Sequence, residues 1–377
     1  MFITRPYRLQ KSKLNALKLM LKTCLISLLI SLLSGQTQAQ PAEGITWRRI
    51  MSQPSEWYGS AEAIRIAENV LLYQNNNGGW SKNIDMAQEL SHSEVQKLKK
   101  EKSQKTGTTI DNGATHTQLN YLARVYKATG HDRFREAFLK GVDFLLEAQY
   151  QNGGWPQFYP IRKGYYENIT FNDDAMIGVM RLLRGIGRND DPFSFVDEGR
   201  KQKAAKAVEK GLDIILKTQV VVDKKLTAWC AQHDKETLLP AKARAYELPS
   251  LSGGESVGIV KYLMEVENPN ERVILAVKSA IAWFEEVKIE GQRVERKKDP
   301  ALPKGFDLVV VDDPEAGPLW ARFYELGTNR PMFVGRDGVV KYRLEEIEYE
   351  RRVGYSYLRN YAEDLLKEDY PQWLQKL

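Results

Sequence analysis

The sequence predicts a mainly α-helical toroid with small β elements, and three observations carry that prediction. Apolar residues recur at helical spacing through most of the chain. Two segments nearly repeat: Tyr73-Gln74-Asn75-Asn76-Asn77-Gly78-Gly79-Trp80 and Tyr150-Gln151-Asn152-Gly153-Gly154-Trp155, each closing a helical run. Trp80, Trp155 and Trp229 follow one another at intervals of 75 and 74 residues, about two helices plus loops per repeat. Helical hairpins of that size cannot bury their apolar faces alone and must pack in a ring or superhelix.

Element by element, the pattern is regular. Ile64, Ala67, Val70 and Leu71 share one face of a helix over about 60–74. Leu119, Leu122 and Tyr126 mark a second near 114–129, stopped by Gly130, a residue suited to the left-handed turn that ends helices. Phe134, Phe138, Val142 and Leu145 mark a third near 132–149. Further helices are expected at 173–187, 197–219, 254–266, 271–287 and 353–367. The run from Gly141 to Leu146 leads to Gln149 and Trp155, and its counterpart from Gly211 to Leu216 leads to Gln219 and Trp229. A fourth unit, Ala276 to Ile289, lacks the following Trp but holds Trp283 inside. Strand signals are few: Leu308 to Val311 and Val339-Val340 predict a small β element in the last quarter.

The first 39 residues stand outside this scheme. Arg5, Arg8, Lys11, Lys13, Lys18 and Lys22 precede an apolar run from Cys24 to Leu33, then small and polar residues ending at Ala39. That order reads as a secretory signal peptide cleaved after Ala39, leaving one catalytic domain over 40–377, secreted or periplasmic. An apolar core of about ten residues is too short to span a bilayer, so no membrane span is expected in the mature chain. The leader's six basic residues account for the whole formal charge of +6. The mature chain is therefore neutral, and its charge gives no reason to expect a nucleic-acid partner. Cys230 remains as its one cysteine, so no intrachain disulfide is available. A monomer is expected.

Polar loops between the helices carry the candidate chemistry. Thr109-Ile110-Asp111-Asn112-Gly113-Ala114-Thr115 reads either as a helix cap or as a hard-cation site, since Asp111 and Asn112 offer oxygens side by side. Asn168 to Met176 contains Asn172-Asp173-Asp174, where a cap would need only one acidic residue and adjacent carboxylates repel. If the two loops share a face, Asp111, Asn112, Asp173 and Asp174 could hold Ca²⁺ with substrate and water. His233 and Cys230 read as structural, and Ser252 with Glu255 reads as a capping box. Trp320-Ala321-Arg322-Phe323-Tyr324 with Thr328-Asn329-Arg330 sets arginines among aromatics. That composition suits a sugar acid: guanidinium for the carboxylate, rings for the pyranose. Packing plus surface ion pairs would explain it equally.

The runs TIDNGATHTQ, QNGGWPQFYP, YYENITFNDDAM, WCAQHD, ARAYELPSLSGGES and LWARFYELGTNRP resemble pectate lyases of polysaccharide lyase family ten, over nearly all of 45–377. The resemblance implies an (α/α) toroid, an incomplete α/α barrel, with calcium-dependent β-elimination of polygalacturonate to unsaturated oligogalacturonides. Asp111 and Asn112 would then belong to the metal and substrate centre, and Asp173, ahead of Asp174, would ligate calcium. Arg244 in ARAYE would be the catalytic base, and Arg330 in TNRP would bind a substrate carboxylate; Arg322, Trp155 and Tyr159 are expected beside the substrate. Two other readings make different demands. A glycoside hydrolase on an α/α barrel would use paired carboxylates on acidic oligosaccharides without metal. A non-catalytic pectin-binding protein would stack sugars on Trp80, Trp155 and Tyr159.

Overall fold

The structure, a computed structural model, describes residues 45–102 and 107–377. The expected leader lies outside the described residues, and the unit Thr46–Leu377 holds the fold. Its longer helices are α1 (Ala61–Tyr73), α2 (His92–Glu101), α3 (His116–Thr129), α4 (Asp132–Ala148), α5 (Ala175–Arg188), α6 (Glu198–Thr218), α7 (Glu255–Met264) and α8 (Glu271–Glu286). Ser60, Asp197 and Asn270 cap α1, α6 and α8 by accepting an N–H of the first turn. Gly130 closes α3 in the left-handed conformation, as its position predicts.

These helices form two rows. One row, α3, α5 and α7, packs side by side and continues to the C-terminal turns Leu365–Asp369 and Tyr370–Leu374. The other, α1, α4, α6 and α8, flanks it, with α4 against α3 and α6 against α5. Ile177, Val179, Met180, Leu183 and Ile186 of α5 are wholly buried, as the middle helix of the first row requires. No closed barrel forms; the arrangement is the predicted mainly α toroid with small two-stranded sheets. No described helix is long and apolar enough to cross a membrane.

The repeated Gln-Asn-Gly-Gly-Trp is a structural joint. Gln74, at the end of α1, donates from Nε2 to Gly78 O at 2.9 Å and to Ala137 O of α4 at 2.8 Å. Gln149 does the same to Gly153 O and Ala207 O of α6, and Gln219 to Thr227 O and Ala276 O of α8. Gly78 and Gly153 take φ of +98° and +100°, and a Cβ there would lie 2.3 Å from Lys140 O and 2.2 Å from Lys210 O. Only glycine fits both demands. The indoles of Trp80, Trp155 and Trp229 donate back to Val70 O, Leu145 O and Ile215 O, each at 2.8 Å.

Here the sequence-based repeat needs a correction. The fourth unit has its Trp after all: Trp320 donates to Phe284 O of α8 at 2.9 Å. A long antiparallel hairpin, Gln292–Lys298 with Phe306–Asp312, is inserted between them and erases the 75-residue spacing. The helix expected over 353–367 is also interrupted. Leu358-Arg359 is extended and pairs with Trp320-Ala321, so backbone hydrogen bonding to the fourth Trp overrides local helical pattern.

Candidate active site

The loops ahead of α3, α5 and α7 meet on one side of the fold. Three short pairings align them: Thr109 with Phe158, Ile169-Thr170 with Gln232-His233, and Leu251-Ser252 with Phe323-Tyr324. The 111–113 and 172–174 turns touch each other, and the second also touches α7. Asn112, Thr115, Asp173 and Asp174 have φ of +51°, +66°, +48° and +57°. Left-handed backbone at non-glycine residues costs on the order of 1–3 kcal/mol each and persists where the surroundings enforce it. Its concentration at these two turns marks the place where position matters more than local stability.

Asp111 anchors the centre. Its side chain is buried, and Oδ2 accepts from Lys82 Nζ and from Gln157 Nε2, the latter at 2.6 Å. Asn172 Nδ2 bridges Asp111 Oδ1 at 3.1 Å and Asp173 Oδ2 at 2.9 Å. Asp173 Oδ1 in turn accepts from Arg322 Nη2 at 3.2 Å, and Arg322 also bonds Glu255, which is held by Ser252 Oγ. One polar chain therefore runs Lys82–Asp111–Asn172–Asp173–Arg322–Glu255. Burial alone would lower the pKa of Arg322, but Glu255 above all, with Tyr355 and Asp173, holds it well above the ordinary arginine value. Asp174 lies at the same turn with its carboxylate beside Gly258, where any Cβ would collide with it. Desolvation first, then the Glu255 charge, pushes its pKa up to about 6.

Arg244 joins this group through Tyr355. Arg322 Cζ sits 4.8 Å from the Tyr355 ring centroid and Arg244 Cζ 6.0 Å from it. Arg244 is half-exposed and doubly bonded to Glu247, with Nε to Oε2 at 2.7 Å and Nη2 to Oε1. Tyr355 Oη donates to Glu247 Oε1 at 2.9 Å. Burial opposes the charge on Arg244, yet the Glu247 hydrogen bonds and charge raise its pKa above the free value.

The other expected residues divide. Asn112 is exposed and its amide donates to Asn83 Oδ1 at 2.9 Å. Arg330 is exposed and stacks on Tyr342 with Cζ 3.6 Å from the ring centroid; among the described residues it makes no contact with the carboxylates above. Tyr159 turns toward α4, its phenol donating to Glu147 Oε1 at 2.7 Å. Trp155 does not line a cleft: it is 0% exposed with its indole spent on Leu145, so neither ring face can meet a sugar. The same burial removes Trp80 from a stacking platform. Cys230 and His233 are buried, as expected of structural residues. His233 Nε2 accepts from Cys230 N–H at 3.1 Å, and burial presses its pKa down to about 4.

Sequence reasoning missed Lys82, Gln157 and Glu247, and read Glu255 as a cap alone. A signal for two of them was present. Lys82 and Gln157 each stand two residues after a repeat Trp, and so does Arg322 after Trp320. In three of the four units that position reaches the polar centre.

The donor set suits a hard cation. Asp173 and Asp174 are adjacent carboxylates with mutual repulsion that a cation would relieve. Asp111 is less available, because Lys82, Gln157 and Asn172 already occupy both of its oxygens. Among the described residues, no three acidic, His or Cys side chains form a preassembled cage. A shell built on the Asp173–Asp174 pair would need substrate and water to complete it.

Comparison with known proteins bears on this centre. The profile of the family described as pectic acid lyase matches residues 74–366. A solved family 10 polysaccharide lyase from Cellvibrio cellulosa superposes with a TM-score of 0.71 at 36% identity, covering 86% of this chain and 97% of its own. An aspartate-to-alanine variant of a family 10 lyase from the same organism, in complex with trigalacturonic acid, superposes at 0.70 with 35% identity, covering 86% and 98%. No curated protein sequence matches.

Proposed function

Since the chain belongs to the pectic acid lyase family and is a polysaccharide lyase, we propose that it cleaves de-esterified polygalacturonate by calcium-dependent β-elimination, releasing unsaturated oligogalacturonides. One observation carries the proposal: Asp173 and Arg322 meet at 3.2 Å on the loop face, with Arg244 across the Tyr355 ring. That grouping answers what the reaction requires. Elimination removes the C5 proton of a galacturonate and expels the C4 oxygen. The proton is acidic only if charge developing on the C6 carboxylate is neutralised.

Arg322 supplies a fixed positive charge at the Asp173 turn. Arg330 would bind a second carboxylate from its exposed position, and Asn112 would contact the sugar. Asp173 and Asp174 would hold Ca²⁺, with Asp111 and Asn112 supporting that turn rather than closing the shell. When bound, Ca²⁺ supplies positive charge at the uronate carboxylate. Arg244 would take the C5 proton, which requires its neutral form. Glu247 works against that form, so substrate binding has to loosen the Arg244–Glu247 pair, and an alkaline optimum follows.

The leader reading is proposed with it: cleavage after Ala39 would deliver one catalytic domain, a monomer, to the periplasm or the medium. The test is digestion of polygalacturonate with and without a chelator. Growth of ultraviolet absorbance from an unsaturated product, abolished by chelator and restored by Ca²⁺, is expected. Saturated products alone would overturn the elimination, and a rate untouched by chelator would overturn the calcium dependence.

A further inference from the structure

The loop between the second Gly-Gly-Trp and α5 holds an arginine that the proposed chemistry leaves unused. Arg162 is exposed, its Cζ 4.6 Å from the Phe158 ring centroid and 5.2 Å from that of Tyr166. Those rings meet edge to face, 5.2 Å apart at 87°. The arrangement is pinned to the polar centre. Phe158 pairs with Thr109, and Gln157, which donates to Asp111, also bonds the Tyr166 carbonyl through its backbone N–H at 3.1 Å. Lys82 Nζ lies 5.9 Å from the same Phe158 centroid. On the other side Tyr166 contacts Tyr165, at 4.0 Å between centroids, and Tyr165 feels the charges of Arg244 and Glu247. Arg162 therefore stands on a line of rings between the Asp111 turn and the Arg244–Glu247 pair.

Its neighbours on that line are neutralised. Lys82 is paired with Asp111, Arg244 with Glu247, and Arg322 with Glu255 and Asp173. Arg162 has ring contacts and no ion pair among the described residues. A guanidinium laid on aromatic faces keeps its N–H fork at the edge, free for a carboxylate. The geometry points to an additional uronate subsite, in which Arg162 binds the carboxylate of a galacturonate flanking the cleaved bond and Tyr165 and Tyr166 wall its pyranose ring. This rests on the proposed action on polygalacturonate.

Steady-state kinetics on polygalacturonate and on trigalacturonate, with Arg162→Ala, Arg162→Gln and Arg162→Lys, test it. A group that binds ground state and transition state equally moves KM and leaves kcat. For Arg162→Ala, KM for the polymer should rise about tenfold with kcat within about twofold, and the preference for polymer over trimer should shrink. Arg162→Lys should fall between, since a point charge replaces the fork. An unchanged KM, or a fall in kcat at constant KM, would overturn the subsite; thermal melting of each variant separates a folding defect from either. If the wild type gives no unsaturated product, the proposed activity fails by itself. Calorimetric titration with oligogalacturonate then decides the subsite: tenfold weaker binding by Arg162→Ala supports it, and equal affinity removes it.

Discussion

Lys82 and Gln157 donate to the same oxygen, Oδ2 of Asp111, although 75 residues separate them. Each arrives from the second position after a repeat Trp. With Asn172 on the other oxygen, the buried carboxylate ties three loops of two successive repeats together. A carboxylate so held anchors the turn at Asp173.

Replacing Asp111 tests that anchoring. Asp111→Ala leaves Lys82 and Asn172 facing an empty site, and loss of one partner of a buried ion pair costs on the order of 3 kcal/mol. Urea unfolding should register that loss, with product formation nearly abolished. Asp111→Asn keeps an acceptor for one donor and should lose less. A stability change below about 1 kcal/mol for the alanine variant would contradict the anchoring role.

Arg244 separates chemistry from stability. Its side chain is 43% exposed, so the pair with Glu247 adds at most about 1 kcal/mol to folding. Arg244→Ala should therefore melt near the wild type while kcat falls by roughly 10²–10⁴. Turnover within threefold of wild type would remove it as the base. Glu247→Gln takes away the charge that holds the guanidinium protonated, so the alkaline rise in kcat should move to lower pH. A profile that stays in place would show the two residues to be uncoupled.

Two histidines, His233 buried and His116 half-buried, make the fold sensitive to acid. His116 and His233 are pressed down to about 4, in both cases chiefly by burial. The unfolded chain takes up these protons near the ordinary value of about 6.5, before the folded protein does. Stability is full above that value and falls as pH drops toward 4, by roughly 3 kcal/mol per histidine. Urea unfolding across this range should show the slope, and His116→Asn should reduce it. An identical slope in that variant would rule out His116 as a source.

The joint itself can be probed with one methyl group. Gly78→Ala and Gly153→Ala each meet a backbone carbonyl at 2.3 and 2.2 Å and hold a positive φ. A loss of roughly 2–4 kcal/mol is expected for each. Gly164→Ala, also at positive φ but with nothing within 4 Å, should lose only about 1 kcal/mol. Equal effects at the three sites would mean that the close approach is unimportant.

Much of this was legible in the chain, and the failures have physical causes. Helical period and the Trp spacing located most of the helices and their repeat, and paired carboxylates located the Asp173 turn. The fourth Trp was hidden because the hairpin at 292–312 moved it along the sequence without moving its bond to α8. The interrupted C-terminal helix failed for a related reason: extended pairing at Leu358 is non-local and leaves no local pattern. Trp155 misled because an aromatic in a polar loop reads as exposed, whereas its indole completes a helix carbonyl in the core. Glu247 gave no signal beyond its charge, and Lys82 only its place two residues after a repeat Trp. Their partners come from folding, or, for Glu247, from a turn only three residues long.

The glutamines at the ends of α1, α4 and α6 have a consequence for how the molecule comes apart. Each side-chain amide bonds its own loop and the backbone of the next helix in the row. In a stack held only by apolar faces, a terminal repeat can open while its neighbours stay closed. Here, opening one repeat strands a buried amide and a helix carbonyl in the next, so the disturbance passes along the row. The arc should behave as one cooperative unit. Amide hydrogen exchange would then give α4, α6 and α8 a common opening energy, where a stack of independent repeats would give a staircase.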